Sequence, residues 1–259
     1  MKIAVFVKQV PDSAAKVTVE NGVVSWGDTP LVINPWDEYA VEAALVLAEK
    51  HSGAVTAISL GNESAKESLK HALAMGCTEA ILINDPAPSL PDSSATAHVL
   101  AAAIKKLDAV DLAIFGKQAI DSDTGLTPAM TARILGWPAL TLAAAVTQLD
   151  PAAKTIRVER GIEEGRQIVE GKLPAVLSIV KDFGEPRYPS FMGIRKASKA
   201  EIPTWTFAEL GISAPESKVT WPEVISPPKR QVTNEMITGA NAEEIASSLA
   251  DKIIAEGVL

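Results

Sequence analysis

Gly116-Lys117-Gln118-Ala119-Ile120-Asp121-Ser122-Asp123-Thr124-Gly125-Leu126-Thr127 follows the apolar run Leu112-Ala113-Ile114-Phe115 and precedes a helical pattern that opens at Pro128. A strand that passes through a small, polar, glycine-bearing loop into a helix start is where α/β proteins hold phosphate. Backbone N–H groups without intrahelical partners converge there. The same residues also fit a plain strand-to-helix turn, with Asp121 or Asp123 capping the helix and Gly125 supplying a positive φ. Neither G-x-G-x-x-G nor the P-loop pattern is present, so spacing leaves both readings open.

Outward from this loop, apolar runs recur at Ile3 to Val7, Val55 to Leu60, Ala80 to Ile83, Leu112 to Phe115 and Ala175 to Val180. Helix-like segments separate the first four. Such continuous apolar strands are expected in a parallel sheet covered on both faces, so the fold class is α/β, doubly wound and Rossmann-like. Asn34-Pro35-Trp36-Asp37 places a capping Asn before Pro at the first helical position, and Ala40, Ala43, Ala44, Leu47 and Ala48 give the helix its apolar face. A second helix runs from about Glu63 to Met75 and stops at Gly76; a third begins near Asp92-Ser93 and ends on Lys105-Lys106.

Two segments depart from plain alternation. Lys16 to Trp26 carries alternating residues around Asn21-Gly22, a hairpin signal. Thr141 to Val180 is mostly strand with turns at Asp150-Pro151 and Gly165, which predicts antiparallel strands added at a sheet edge. After about Lys181 the chain is broken by Pro186, Pro189, Pro203, Pro222, Pro227 and Pro228. Short helices are expected only at Ala208 to Leu210 and at the end, where Asn241 and Glu244 have capping-box spacing before a stripe of Ile245, Leu249 and Ile253. The expected division is therefore a nucleotide-binding domain over 1–182 and an arm over 183–259 that lies on another surface.

Composition narrows the chemistry. The chain has 259 residues, 47% hydrophobic, with net charge -8, a pI near 5.0 and mean hydropathy +0.16. An acidic surface of this kind does not attract nucleic acid or anionic lipid. The single Cys77 leaves no disulfide framework or multi-thiolate metal site within the chain. Met1 to Lys8 reads as a strand rather than a signal peptide, and no apolar run approaches the roughly 18 residues that span a bilayer. A cytoplasmic location without membrane insertion is expected. His51, His71 and His98 pair with no nucleophile or second ligand at useful spacing, so neither a catalytic nor a metal site is predicted.

Along essentially its whole length the sequence resembles the β, or small, subunit of electron-transfer flavoprotein. The matching pieces are Val7-Lys8-Gln9-Val10-Pro11-Asp12, Asn34-Pro35 with Tyr39 to Ala44, Ala72-Leu73-Ala74-Met75-Gly76, Gly116 to Asp123, Gly136-Trp137-Pro138, Val158 to Val169 with Pro174 to Leu177, and Arg187-Tyr188 leading to Ile194 and Lys196-Ala197. The resemblance implies an electron carrier rather than an enzyme: a heterodimer with a larger α subunit that holds most of one redox-active FAD, with AMP bound structurally in the β subunit. Carried over by position, the AMP site comprises Phe6, Asn34, Pro35, Trp36, Asp37, Leu60 and Gly116 to Thr127. The N–H groups of Ser122 to Thr127 and the hydroxyls of Ser122, Thr124 and Thr127 suit phosphate, and Phe6 and Leu60 suit the adenine face.

Leu126 stands near where many relatives carry Gln, and Asp123-Thr124 matches the electron-bifurcating branch, whose β subunit binds a second FAD in place of AMP. The resemblance further implies a recognition loop for flavoprotein dehydrogenases, such as acyl-CoA dehydrogenases, at Tyr188, Phe191, Met192, Ile194, Arg195 and Lys196. Phe191 is its apolar anchor, beside the cations Arg195, Lys196 and Lys199. It also sets Arg160, with Glu163 and Glu164, near the α-subunit flavin, where a charge tunes potential.

Overall fold

A computed structural model describes residues 1–84, 92–228 and 234–257. The described chain forms two compact units, Met1–Glu223 and Val224–Leu259.

In the first unit, β1 (Lys2–Phe6) leads through β2 (Gln9–Pro11), the hairpin β3 (Thr18–Glu20) and β4 (Val23–Ser25), and β5 (Leu31–Ile33) into α1 (Pro35–Lys50). Then come β6 (Ala54–Leu60), α2 (Lys66–Met75), β7 (Glu79–Ile83), α3 (Ser93–Leu107), β8 (Leu112–Gly116) and α4 (Thr127–Leu135). The long strands β9 (Ala139–Asp150), β10 (Thr155–Ile162) and β11 (Gly165–Lys172) precede β12 (Ala175–Ile179), α5 (Phe191–Ala197) and β13 (Thr204–Trp205). The second unit contains α6 (Ala242–Ala255).

The main sheet has nine strands in the order β11-β10-β9-β12-β8-β1-β6-β7-β13. β1 pairs in parallel with β6 on one side and β8 on the other. The chain thus winds from β1 outward to β7, returns to β8, and winds the opposite way, which makes the β1/β8 boundary the topological switch point. The expected parallel core and the antiparallel edge are both present; β9, β10 and β11 pair antiparallel, while β12 pairs in parallel with β8 and β9.

Period-two alternation decides which residues enter which core. Ile3, Val5 and Val7 pack with Ala40, Ala44 and Leu47 of α1 on one face of the sheet, while Ala4 and Phe6 pack with Leu100, Ile104 and Ala132 of α3 and α4 on the other. Because both faces are covered, Leu112, Ala113 and Ile114 are completely buried. The three-residue strands of the Asn21-Gly22 hairpin form a separate, exposed two-stranded sheet, with positive φ at both turn residues.

Some expectations on local structure change. Residues 208–210 form a turn rather than a helix, whereas α5 occupies a segment read as a loop. Ser190 caps it by accepting the Gly193 N–H at 2.9 Å. Gly193 is required because a Cβ there would run into the Ala74 carbonyl at the end of α2. Residues 183–223 are part of the first unit, with β13 adding in parallel to β7. In the second unit, Asn241 accepts the Glu244 N–H at 2.9 Å, and Glu244 accepts from Ala240 rather than closing back on Asn241. Ile245, Leu249 and Ile254 of α6 are exposed.

A crevice at the switch point of the sheet

At the carboxyl ends of β1 and β8 lies a crevice of about 290 Å³. Its apolar end is built from Phe6, Ile58, Leu60, Leu100 and Phe115, and its polar side from Lys8, Ser122, Thr124, Gly125 and Thr127. Phe6 and Phe115 stack with centroids 4.3 Å apart and planes 12° from parallel. Adjacent parallel strands place these two rings side by side, so the stack is a direct consequence of the β1/β8 register.

The loop after β8 is stapled rather than free. The Asn34 side chain donates to the Gln118 carbonyl oxygen at 2.8 Å and accepts the Ile120 N–H at 3.2 Å. Asn34 occupies the first cap position of α1 but makes no capping bond with its side chain, contrary to the expected capping role. Its carboxamide has been diverted to hold the loop. Neither Asp121 nor Asp123 caps α4 either, because the cap position falls on Leu126, which makes no side-chain cap bond. Asp121 instead pairs with Lys8 at 2.7 Å, and Asp123 accepts from the Gln118 amide.

The Ser122 and Asp123 N–H groups close a turn onto the Ala119 carbonyl at 3.3 and 2.8 Å, so these two are not available for a phosphate. The N–H groups of Thr124, Gly125, Leu126 and Thr127 have no acceptor among the described residues. Gly125 takes φ +61, as expected, and Leu126 follows in the right-handed region. That alternation turns successive N–H groups toward one concave side, the geometry that receives anions, at the start of a helix whose dipole adds to it. Thr124 Oγ1 is 3.1 Å from Ser93 Oγ, which ties the loop to α3.

Gly116 sits where α1 crosses the end of β8. A Cβ at this position would collide with the Asp37 carboxylate and with the Trp36 backbone carbonyl. Asp37 is buried at the crevice wall and accepts the Lys8 N–H at 2.8 Å. Burial pushes its carboxyl up to about 7, against the opposing pull of backbone amides at Lys8 and Gly116 and of the Asn34 side chain. Lys117 extends over the Trp36 ring, 5.3 Å from its centroid.

Of the residues carried over by resemblance, Phe6, Asn34, Asp37, Leu60, Gly116, Lys117, Gln118, Ala119, Ser122, Thr124, Gly125 and Thr127 line the crevice. Pro35, Trp36, Ile120, Asp121, Asp123 and Leu126 are not part of that lining; Leu126 is exposed. Sequence reasoning missed Asp92 at the cap of α3, Thr96 and Leu100 on that helix, and Trp221. The capping pattern at Asp92-Ser93 marked the helix start but gave no sign that it borders this crevice.

The other expected surface is also ordered from behind. Arg187 donates to the buried Glu42 through Nε at 2.8 Å and Nη2 at 3.0 Å, and to Glu49 through Nη1 at 2.5 Å. This fixes the chain just ahead of Tyr188, Phe191, Met192 and Ile194, all of which are exposed, Phe191 by 80%. Arg160 donates to the Thr141 carbonyl at 2.7 Å and to Gln167 at 3.1 Å, tying β10 across its neighbours. Cys77 is buried in the core as a packing residue, and that burial pushes its thiol up to about 12.

A doubly wound sheet with a crevice at its switch point defines the Rossmann-like α/β class. Residues 22–210 match the electron transfer flavoprotein domain. The chain is 37% identical over 261 residues to the caffeyl-CoA reductase-Etf complex subunit CarD of Acetobacterium woodii, with 98% of both chains covered. It is 34% identical over 275 residues to the electron transfer flavoprotein subunit beta of Megasphaera elsdenii, covering both chains fully. It is 36% identical over 217 residues to protein FixA of Azorhizobium caulinodans, covering 82% of this chain and 77% of that protein. The chain belongs to the electron-transfer flavoprotein β-subunit family, a family of electron-carrier subunits. No described helix is long and apolar enough to cross a membrane.

Proposed function

We propose that this chain is the β subunit of a cytoplasmic heterodimer that takes electrons from flavoprotein dehydrogenases, such as acyl-CoA dehydrogenases, and delivers them to a quinone-linked acceptor. The redox group is FAD held chiefly by the α subunit, and AMP is bound structurally in the crevice of this chain. The observation that carries the nucleotide assignment is the pairing, in one crevice, of Thr124, Gly125 and Thr127, whose N–H groups have no acceptor among the described residues, with an aromatic and aliphatic end at Phe6, Leu60 and Phe115.

In this reading the residues divide by task. The N–H groups of Thr124 to Thr127, with the Thr127 hydroxyl, receive the phosphate, and Lys8 and Lys117 add positive charge nearby. Phe6 and Leu60 face the base. Asn34, Gly116 and Asp37 hold the loop in register with α1 rather than contacting the ligand's charge. When bound across the subunit interface, FAD supplies reversible one- and two-electron chemistry. Phe191, on a loop held by Arg187, anchors the dehydrogenase, and residues 224–259 pack on the α subunit.

A second reading is favoured by Asp123-Thr124 and by the similarity to a subunit of a reductase-Etf complex. Here the crevice takes the adenosine end of a second FAD, and the complex splits electrons from NADH. The two differ in electron donor. Anaerobic mixing of the purified complex with a reduced acyl-CoA dehydrogenase is expected to bleach the flavin absorbance, with no bleaching by NADH alone. Bleaching by NADH without a dehydrogenase overturns the first reading in favour of the second.

A further inference from the structure

Asp92 is 2% exposed and uses both carboxylate oxygens. Oδ1 caps α3, accepting the Ser94 N–H at 2.6 Å and the Ala95 N–H at 3.3 Å. Oδ2 accepts from a segment more than a hundred residues away, the Lys218 N–H at 2.5 Å and the Ser217 hydroxyl at 3.2 Å. The one Ser217 hydroxyl proton is shared between Asp92 and the Val219 carbonyl oxygen 2.9 Å away, and the hydroxyl oxygen accepts the Val219 N–H at 3.3 Å, which sets the direction of the chain leaving the tie. Two residues later Trp221 lines the crevice.

These contacts close a ring. The strap at 217–221 is tied to Asp92, the adjoining Ser93 is bonded to Thr124 of the loop, and Ser93, Thr96 and Leu100 continue the crevice wall along α3. Trp221 contributes a large apolar surface to this wall while remaining 61% exposed. An indole held against a partly apolar crevice gains by burying that surface against a ligand, and aromatic rings contribute strongly when stacked on a nucleotide.

We infer that Trp221 is a nucleotide-contacting residue that covers the open side of the crevice, and that the tie of Ser217 and Lys218 to Asp92 positions it. This rests on the nucleotide reading of the crevice. Trp221 retains the ligand rather than selecting its phosphate, since the loop at 124–127 supplies those donors. The strap is therefore expected to govern how fast the nucleotide leaves.

The test uses the purified two-subunit complex loaded with radiolabelled AMP and chased with unlabelled AMP. In Trp221→Ala the label is expected to leave at least about fivefold faster than from wild type, the low end for losing one aromatic–base contact, with Trp221→Phe close to wild type. Equal release from wild type and Trp221→Ala overturns the inference and leaves the nucleotide reading standing. Failure of the wild-type complex to hold any adenine nucleotide beyond the one FAD of the α subunit overturns both. If Trp221→Ala does not assemble, Trp221→Leu, which keeps apolar bulk but no ring, decides by the same comparison.

Discussion

The Asn34 carboxamide donates to the Gln118 carbonyl oxygen at 2.8 Å, joining the start of α1 to the loop after β8. Its oxygen receives the Ile120 N–H as well, so one 1% exposed side chain holds two points of the loop. Asn34→Ala leaves both loop groups without their partner and is expected to cost about 1–3 kcal/mol. Asn34→Asp sets a buried carboxylate oxygen against the Gln118 carbonyl and beside Asp37, and is expected to cost more than Asn34→Ala. Denaturant unfolding of the three proteins checks the order, and equal stability of Ala and wild type would show that the staple carries no weight.

Gly116 permits the contact between the β8 end and α1. Because a Cβ there meets the Trp36 backbone as well as Asp37, it cannot be relieved by moving one flexible side chain. Gly116→Ala is expected to destabilise by about 1–3 kcal/mol or more. A melting temperature unchanged from wild type would contradict the close packing.

Asp37 gives the first unit a specific pH dependence. Its carboxyl is raised by burial to about 7, above the roughly 4 of an unfolded chain. The folded state therefore binds a proton more tightly than the unfolded state, and the stabilisation is full below about pH 4 and is lost as pH rises through about 7. Relative to Asp37→Asn, which cannot titrate, wild type should lose stability between pH 5 and pH 8. Parallel melting curves across that range, with a constant offset between the two proteins, would sink this expectation.

Phe191 is 80% exposed at the first turn of α5, so truncating it removes almost no intramolecular packing. Phe191→Ala is expected to leave the melting temperature within about 1 °C and to slow electron transfer from the dehydrogenase, mostly through a higher KM. Wild-type kinetics in this variant would remove the loop from dehydrogenase recognition.

The sheet was legible because each central strand is a short apolar run, and the helices because Pro35, Gly76 and Asp92 mark their ends by simple local chemistry. The wall formed by Asp92, Leu100 and Trp221 was not, since those residues converge only through the fold. Asn34 shows a finer limit. Its position before Pro35 has the pattern of a helix cap, yet its carboxamide is taken by a loop 84 residues on, and spacing cannot tell which acceptor or donor wins. Likewise Ser122 and Asp123 look like phosphate donors until the turn onto Ala119 is seen. Helix α5 was hidden because exposed Phe191, Met192 and Ile194 give it no buried stripe.

The most direct test is the nucleotide content of the purified two-subunit complex, released by acid and separated by chromatography. One AMP and one FAD per complex are expected. Two FAD and no AMP would contradict AMP as the occupant of the crevice, and one FAD with no second nucleotide would contradict a nucleotide site at residues 116–127 altogether.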